Sequence, residues 1–148
     1  MAINTSKVIT GGVVAGVILT AVDMVSNYML IGDRMIADAN AFKPGLGDSM
    51  TQMSGGQMAG WAMMNIVVGM LLIWTYAGFR TRFGPGPRTA SYVALTFFTF
   101  GLILTSNYMA IGMMSKGLWL TYGVIWLIAL LVATMAGAKI YSEDSSTT

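Results

Sequence analysis

Four long apolar stretches alternate with more polar segments along this chain of 148 residues. Asp23 is the only charged residue deep inside any of them. Each stretch holds about 20 residues or more, enough to cross the hydrocarbon core of a bilayer at about 1.5 Å per residue. The apolar residues run continuously rather than alternating with polar ones, which favours helices over the strands of a membrane barrel. We therefore predict an all-α bundle of four transmembrane helices, near residues 8–31, 59–79, 90–111 and 118–139.

The remaining segments complete a single integral membrane domain that covers residues 1–148. We expect an outer loop at 33–57, a cytoplasmic loop at 80–89 and a disordered tail at 142–148. The first apolar stretch is longer than the core of a typical signal peptide, and no small-x-small cleavage site follows it where one is needed. It also resembles the third stretch, so we expect it to be retained in the mature protein.

A nearly identical heptapeptide occurs twice, as "SNYMLIG" at 26–32 and "SNYMAIG" at 106–112. A weaker match places "YAGFR" at 76–80 over "MAGAK" at 135–139. The matching Ser-Asn-Tyr at corresponding helix ends favours duplication over coincidence in an apolar sequence. Because each unit contains two helices, both units enter the membrane from the same side. The pattern predicts two parallel two-helix repeats around an axis along the membrane normal.

The composition is that of a membrane protein, with 55% hydrophobic and 9% charged residues and a mean hydropathy of +0.69. Cysteine and histidine are both absent. Their absence excludes disulfides, thiol catalysis and cysteine-held iron–sulfur clusters, and it removes the usual ligands of haem and zinc. We expect no cofactor and no enzymatic activity. The net charge of +2 comes from a few bases beside the membrane, so nucleic acid is not an expected partner.

The charged loops predict the orientation in the membrane. Five bases lie on the side of the two termini and the middle loop, whereas three lie on the other side. The short middle loop "RTRFGPGPR" is the most basic segment, and such loops stay in the cytoplasm. We expect both termini to be cytoplasmic, and we expect Arg80, Arg82 and Arg88 to contact lipid headgroups.

Asp23 lies about 14 Å from the outer end of the first predicted helix, near the middle of the bilayer. A charge at that depth is costly, so the side chain should face the bundle interior. Polar residues on all four predicted helices lie at a similar outer level; they are Asn27, Asn65, Asn107 and Tyr122. Two interpretations remain open for this predicted polar site. It could carry a proton or cation, or it could simply hydrogen-bond the helices together.

Glycines in the first predicted helix suggest close helix packing. Gly12 and Gly16 form a GxxxG pair, which lets the backbones of two membrane helices approach each other. Glycine is frequent in membrane helices generally, so the pair by itself names no partner helix.

The chain contains 14 methionines, several of them near the outer ends of the predicted helices. Thioether sulfurs bind Cu(I), and a candidate set consists of Met50, Met53, Met58, Met109 and Met113. Methionine also fills gaps in apolar packing, and no cysteine or histidine supports a metal here. We therefore expect no metal site and keep Cu(I) as the alternative.

Two further motifs carry a resemblance to a known group. "GGVVAG" at 11–16 lies early in the first predicted helix, and the basic turn "RFGPGP" at 82–87 follows an aromatic-rich second helix. In these features the chain resembles a group of small, uncharacterised bacterial four-helix membrane proteins. The resemblance covers most of the chain and implies a four-helix topology in a bacterial inner membrane. Its motifs are structural, so it carries over no catalytic residue.

These observations lead to two functional expectations. The first is a non-enzymatic integral membrane protein that acts as an accessory or packing subunit, in a homo-oligomer or with other membrane subunits. The second is a small transporter or channel subunit that uses Asp23 for proton or cation coupling.

Overall fold

A computed structural model of the chain describes residues 3–142, and within that range its regular elements are all helices, joined by short turns, with no strand. The helices are α1 (Thr5–Ser26), a π-helical turn (Asn27–Ile31), α2 (Gly32–Phe42), α3 (Leu46–Thr51), α4 (Gly55–Phe83), α5 (Pro87–Ala110) and α6 (Lys116–Ile140). Four helical runs are long and apolar enough to cross a membrane; they are Thr5–Phe42, which joins α1 to α2, and the helices α4, α5 and α6. The predicted all-α class with four candidate membrane spans is confirmed.

Local sequence explains where the long helices begin. Ser54 and Gln57 form a capping box at the start of α4, in which each side chain bonds the backbone of the other. The Ser115 hydroxyl accepts a hydrogen bond from the Leu118 N–H and caps α6. Pro87 occupies the first turn of α5, where its missing N–H costs no helical hydrogen bond. The polar residues between the apolar stretches therefore set the helix starts.

Helix α1 packs extensively against both α4 and α6. Helix α5 packs mainly against α6 and over a smaller area against α4. The buried core between the helices combines small residues with a few large ones, such as Leu72, Ile73 and Leu130. The four spans therefore form a bundle.

Glycines allow the close approach of α4 to α1. A Cβ at Gly12 would lie 2.6 Å from the Cα of Met70, and a Cβ at Gly16 would lie 2.5 Å from the Cα of Ile66. Gly69 on α4 packs in turn against the backbone of Gly12 and Gly16. The GxxxG pair therefore packs against α4.

A second glycine contact joins α1 to α6. A Cβ at Gly11 would lie 2.7 Å from the carbonyl oxygen of Gly137, and one at Gly137 would lie 2.6 Å from that of Gly11. Neighbouring glycines on α1 thus pack against two different helices, Gly11 against α6 and Gly12 against α4. Helix α1 therefore approaches the backbones of both α4 and α6 closely.

Both described chain ends and the α4–α5 turn lie at the same end of the bundle. The Asn4 N–H donates to the Tyr141 hydroxyl at 3.4 Å, which brings the start of α1 to the end of α6. The Gly86 N–H donates to the Tyr76 hydroxyl at 3.0 Å, and the Tyr76 and Tyr141 rings pack edge to face. Most of the predicted disordered tail lies outside the described residues, which end at Ser142.

The segment predicted as a loop at 33–57 is largely helical, since it contains α2, α3 and the start of α4. Its charges interrupt the apolar run, but they do not oppose a helix, and Ala39 is buried on one side of α2. The Asn40 side chain holds α3 against α2, because its Oδ1 accepts from the Gly47 N–H at 2.7 Å and its Nδ2 donates to Asp48 at 3.1 Å. Local polar contacts therefore fold this segment into a short helical hairpin.

The two copies of the repeated heptapeptide adopt different conformations. In the first copy the helix continues through a π-turn, and Gly32 has a right-handed φ of −56°. In the second copy α5 stops, and Gly112 adopts a φ of +80°. The Met113 N–H donates to the Tyr108 carbonyl at 2.9 Å and the Gly112 N–H to the Met109 carbonyl at 3.1 Å, the two bonds of a Schellman cap. Nearly identical sequences at these ends therefore adopt different structures.

Candidate functional site

Asp23 lies inside the bundle, with only 5% of its surface exposed. Its Oδ2 accepts a hydrogen bond of 2.9 Å from the Asn65 Nδ2. This bond joins α1 to α4 in the hydrophobic part of both spans. The expectation that Asp23 faces the interior is therefore matched by its position, and its partner is one of the residues predicted for the polar site.

The glycine crossing between α1 and α4 positions this pair. A Cβ at Gly16 would meet the backbone oxygen of Asn65 at 2.8 Å, so Asn65 lies directly at the point of closest approach. Side chains of a helix lean toward its N-terminus, and α1 and α4 run in opposite directions. Asp23 and Asn65 therefore lean toward each other and can bond although Asp23 is two turns beyond Gly16.

Tyr122 is the third member of the cluster. It is partly buried on α6, the other helix that packs on α1, and it interacts electrostatically with Asp23. Three different helices therefore contribute to the polar environment around one carboxyl group.

The other two residues of the predicted polar site lie differently. The Asn27 Nδ2 donates to the backbone carbonyl of Asp23 at 2.9 Å, so Asn27 serves its own helix rather than a neighbour. Asn107 is exposed on the outside of the bundle, and its Nδ2 donates to the Leu104 carbonyl of its own helix at 3.2 Å. The expected polar layer with one residue from each of four helices is therefore not formed. Asp23, Asn65 and Tyr122 are together, and Asn107 is apart from them.

The π-helical turn beside Asp23 was not predicted from the sequence. The carbonyl of Asp23 accepts from the Ser26 hydroxyl at 3.2 Å as well as from Asn27, and the Gly32 N–H bonds the Asn27 carbonyl five residues back. Serine and asparagine side chains compete for helix carbonyls in this way and disturb regular winding. The Ser-Asn pair was thus the available signal. Turns of this kind within α-helices occur frequently at functional sites.

The methionines lie at the same end of the bundle but on separate elements. Met50 belongs to α3, and Met53 and Met58 are about half exposed around the start of α4. Met109 and Met113 lie at the end of α5 and just after it. No cluster of three or more His, Cys, Asp or Glu residues that could hold a metal occurs within residues 3–142. The Cu(I) alternative stays a prediction.

When the two copies of the heptapeptide are aligned, α1 and α5 do not bury corresponding positions. On α1 the packed face includes Gly12, Gly16 and Asp23. The positions 80 residues later are Tyr92, Thr96 and Ile103, and Ile103 is 61% exposed. The buried residues of α5 are instead Thr89, Ala90, Val93, Ala94 and Gly101. Helix α5 is therefore rotated so that the counterpart of the α1 packing face points outward.

This outward face of α5 contains a shallow hollow. It is lined by Leu95, Thr96, Thr99, Phe100 and Ile103. A second shallow hollow, between α1 and α6, is lined mainly by aliphatic side chains around Val22, Val25 and Ile125. Both open toward the surroundings of the bundle rather than into its interior.

No family model, curated protein or solved structure matches this chain. The likeness to small bacterial four-helix proteins therefore stays an expectation from the sequence motifs. Two features of the bundle bear on function, the Asp23 cluster in its interior and the outward face of α5.

Proposed function

We propose that this chain is a non-enzymatic integral membrane protein that acts as a packing or accessory subunit of a larger assembly. We place it in a bacterial inner membrane with both termini cytoplasmic, on the basis of its basic middle loop and its sequence motifs. The observation that carries the proposal is the outward face of α5, which has the character of a helix-packing surface although no helix of the described chain covers it.

The chemistry of this face supports a protein partner rather than lipid alone. Thr96 and Thr99 are exposed in the middle of an otherwise apolar span, beside Phe100, which is 64% exposed. The Thr96 hydroxyl bonds its own Tyr92 carbonyl at 2.8 Å. Interfaces between membrane helices are enriched in serine and threonine, because small hydroxyl side chains permit close approach and bond across the interface. A neighbouring helix would fill the hollow that these residues line.

The internal repeat adds a second argument. We propose that α1 with α4, and α5 with α6, are two parallel repeats. Under that proposal the outward face of α5 corresponds to the face of α1 that packs tightly on α4. Thr96 replaces Gly16 on this face, and Tyr92 and Ile103 replace Gly12 and Asp23, so the face is not a copy of the glycine contact. It lies at the corresponding position and is available to a second copy or another membrane subunit.

Cysteine cross-linking tests the proposed packing face directly, since the native chain contains no cysteine. Thr99→Cys places a thiol at the centre of the α5 hollow. In native membranes treated with a mild oxidant, we expect a disulfide-linked band of twice the chain mass if the partner is a second copy. If the partner is a different subunit, we expect that subunit to co-purify with the wild-type chain and to be lost in Thr99→Trp, which fills the hollow.

Ile128→Cys and Val67→Cys are matched controls, because both positions are about half exposed on other helices and neither lines the α5 hollow. They should cross-link weakly at the same expression level. Equal cross-linking at all three positions, together with no co-purifying subunit, would contradict a specific packing face on α5.

The second candidate function is proton or cation transport through Asp23. It is favoured by one specific observation, a buried carboxyl group that lies beside a π-turn and accepts a hydrogen bond from Asn65 of another helix. Intramembrane carboxyl groups of this kind mark proton and ion pathways.

Asp23→Asn distinguishes the two candidates, because it removes the ionisable group and keeps an oxygen that can accept from Asn65. If Asp23 carries protons or cations, flux in proteoliposomes should fall to the level of empty vesicles while the protein remains folded. Unchanged flux, or the absence of flux in the wild type, would assign Asp23 to helix packing. Circular dichroism and gel filtration of each variant show whether the fold is retained.

A further inference from the structure

The two ends of the bundle differ strongly in charge. The end that holds both chain ends and the α4–α5 turn has five bases and, within residues 3–142, no acidic residue. We call these five residues the basic collar; they are Lys7, Arg80, Arg82, Arg88 and Lys139. The opposite end has three bases, Arg34, Lys43 and Lys116, and three acids, Asp33, Asp38 and Asp48. The formal charge of the described residues is therefore +5 at one end and zero (3 − 3) at the other. Two acids, Glu143 and Asp144, follow in the sequence after the described residues, so the basic end stays the more positive one, with five bases against two acids.

Tyr141 brings the parts of the basic collar together. The Arg80 guanidinium carbon lies 5.6 Å from the centre of the Tyr141 ring, and the Tyr141 hydroxyl accepts from the backbone of Asn4, three residues before Lys7. Lys139 lies two residues before Tyr141 in the last turn of α6. The first turn of α1 and the last turns of α4 and α6 therefore meet near Tyr141, and Arg80 is the cation that contacts its ring.

Aromatic rings also hold the other two arginines. Arg82 lies 5.9 Å from the centre of the Phe83 ring. Arg88 lies 5.7 Å from that of Tyr92 and donates from its Nε to the Tyr92 hydroxyl at 2.7 Å. Stacking on a ring orients a guanidinium but leaves most of its N–H groups available for anions. The arginines therefore keep donor groups that no carboxylate within residues 3–142 pairs with.

We propose that the basic collar binds the headgroups of anionic phospholipids and thereby gives this protein a preference for anionic over zwitterionic lipid. The collar lies where the candidate spans α4, α5 and α6 begin or end, which is the level of the headgroup phosphates in a bilayer. A guanidinium pairs with phosphate oxygens through two parallel hydrogen bonds, and a basic cluster at this level attracts anionic lipid. The inference does not depend on the subunit role proposed above.

Native mass spectrometry of the full chain in a neutral detergent tests the proposal. Phosphatidylglycerol and phosphatidylcholine with the same acyl chains are the probes, and inorganic phosphate serves as a third. We expect phosphatidylglycerol to bind at least tenfold more tightly than phosphatidylcholine. Each base removed should weaken phosphatidylglycerol binding roughly fivefold, so Arg80→Gln, Arg82→Gln and Arg88→Gln together should abolish the preference.

The opposite end offers a control with the same change in charge. Arg34→Gln, Lys43→Gln and Lys116→Gln together also remove three bases, and the lipid preference should persist in that variant. Arg82→Gln with Arg88→Gln alone, both exposed, gives a variant that retains the Arg80–Tyr141 contact if the triple variant does not fold. Equal binding of the two lipids by the wild type, equal losses in both triple variants, or displacement of lipid by millimolar phosphate would each overturn the proposal.

Discussion

Gly16→Leu is expected to destabilise the bundle more than any other change considered, by about 3 kcal/mol or more. A Cβ at this position would lie 2.5 Å from the Cα of Ile66 and 2.8 Å from the carbonyl oxygen of Asn65. Both neighbours are backbone atoms, so they cannot move aside as a flexible side chain would. Overpacking of a tight core costs about 1–3 kcal/mol even where side chains can adjust, and here the two helices must separate. Thermal unfolding and gel filtration in a mild detergent measure the effect.

Gly78→Leu is the matched control for this change. Gly78 also lies within a long helix, α4, but nothing lies within 4 Å of a Cβ placed there. The same side chain should therefore change the stability by no more than about 1 kcal/mol, and in the favourable direction, since glycine is a poor helix former. A similar loss of stability in both variants would show that the α1–α4 crossing is not the reason for the loss.

Asn65→Leu is expected to produce the second large effect, a loss of about 1–2 kcal/mol. It removes the side-chain donor of the buried Asp23 carboxyl group. A buried polar group without a partner costs about 1–3 kcal/mol, and bonds between membrane helices contribute up to about 1.7 kcal/mol. Asp23→Leu should cost a similar amount because it leaves the Asn65 amide unpaired. The double variant should cost less than the sum of the two single variants by about 1 kcal/mol.

Asn107→Leu is the control for Asn65→Leu, because it makes the same change near the end of α5. Its side chain is exposed and bonds only its own helix, so its replacement should have little effect on stability. If the Asp23 and Asn65 variants were strictly additive, the hydrogen bond between them would contribute nothing to the fold. If Asn107→Leu were as damaging as Asn65→Leu, the outward placement of Asn107 would be contradicted.

These two predictions concern the same helix pair for a physical reason. Gly16 determines how closely α4 approaches α1, and that approach allows Asn65 to reach Asp23. A leucine at position 16 should therefore also break the Asp23–Asn65 bond, whereas the loss of that bond should leave the glycine contact intact. The stability lost in Gly16→Leu should exceed the loss in Asn65→Leu.

Much of the fold could be predicted from the sequence because a bilayer imposes a simple requirement. Each span needs about 20 apolar residues, and the backbone must satisfy its own hydrogen bonds, so the four helical spans follow from hydropathy alone. The same physics places Asp23 inside the bundle, since a carboxyl group is costly against lipid. The close contact at Gly12 and Gly16 was also predictable as a type of contact, although the partner helix was not.

The tertiary structure decided which faces meet. In a membrane, both the lipid-facing and the buried sides of a helix are apolar, so hydropathy gives little information about the rotation of a helix. For that reason the sequence predicted Asn107 in the same layer as Asn65, while the structure turns α5 so that Asn107 points outward. The sequence by itself determined four spans and one interior carboxyl group. Only the packing of α4 and α6 against α1 placed Asn65 and Tyr122 near the Asp23 carboxyl group. These residues are far apart in the chain, so the local hydrophobic pattern could not predict that they would meet.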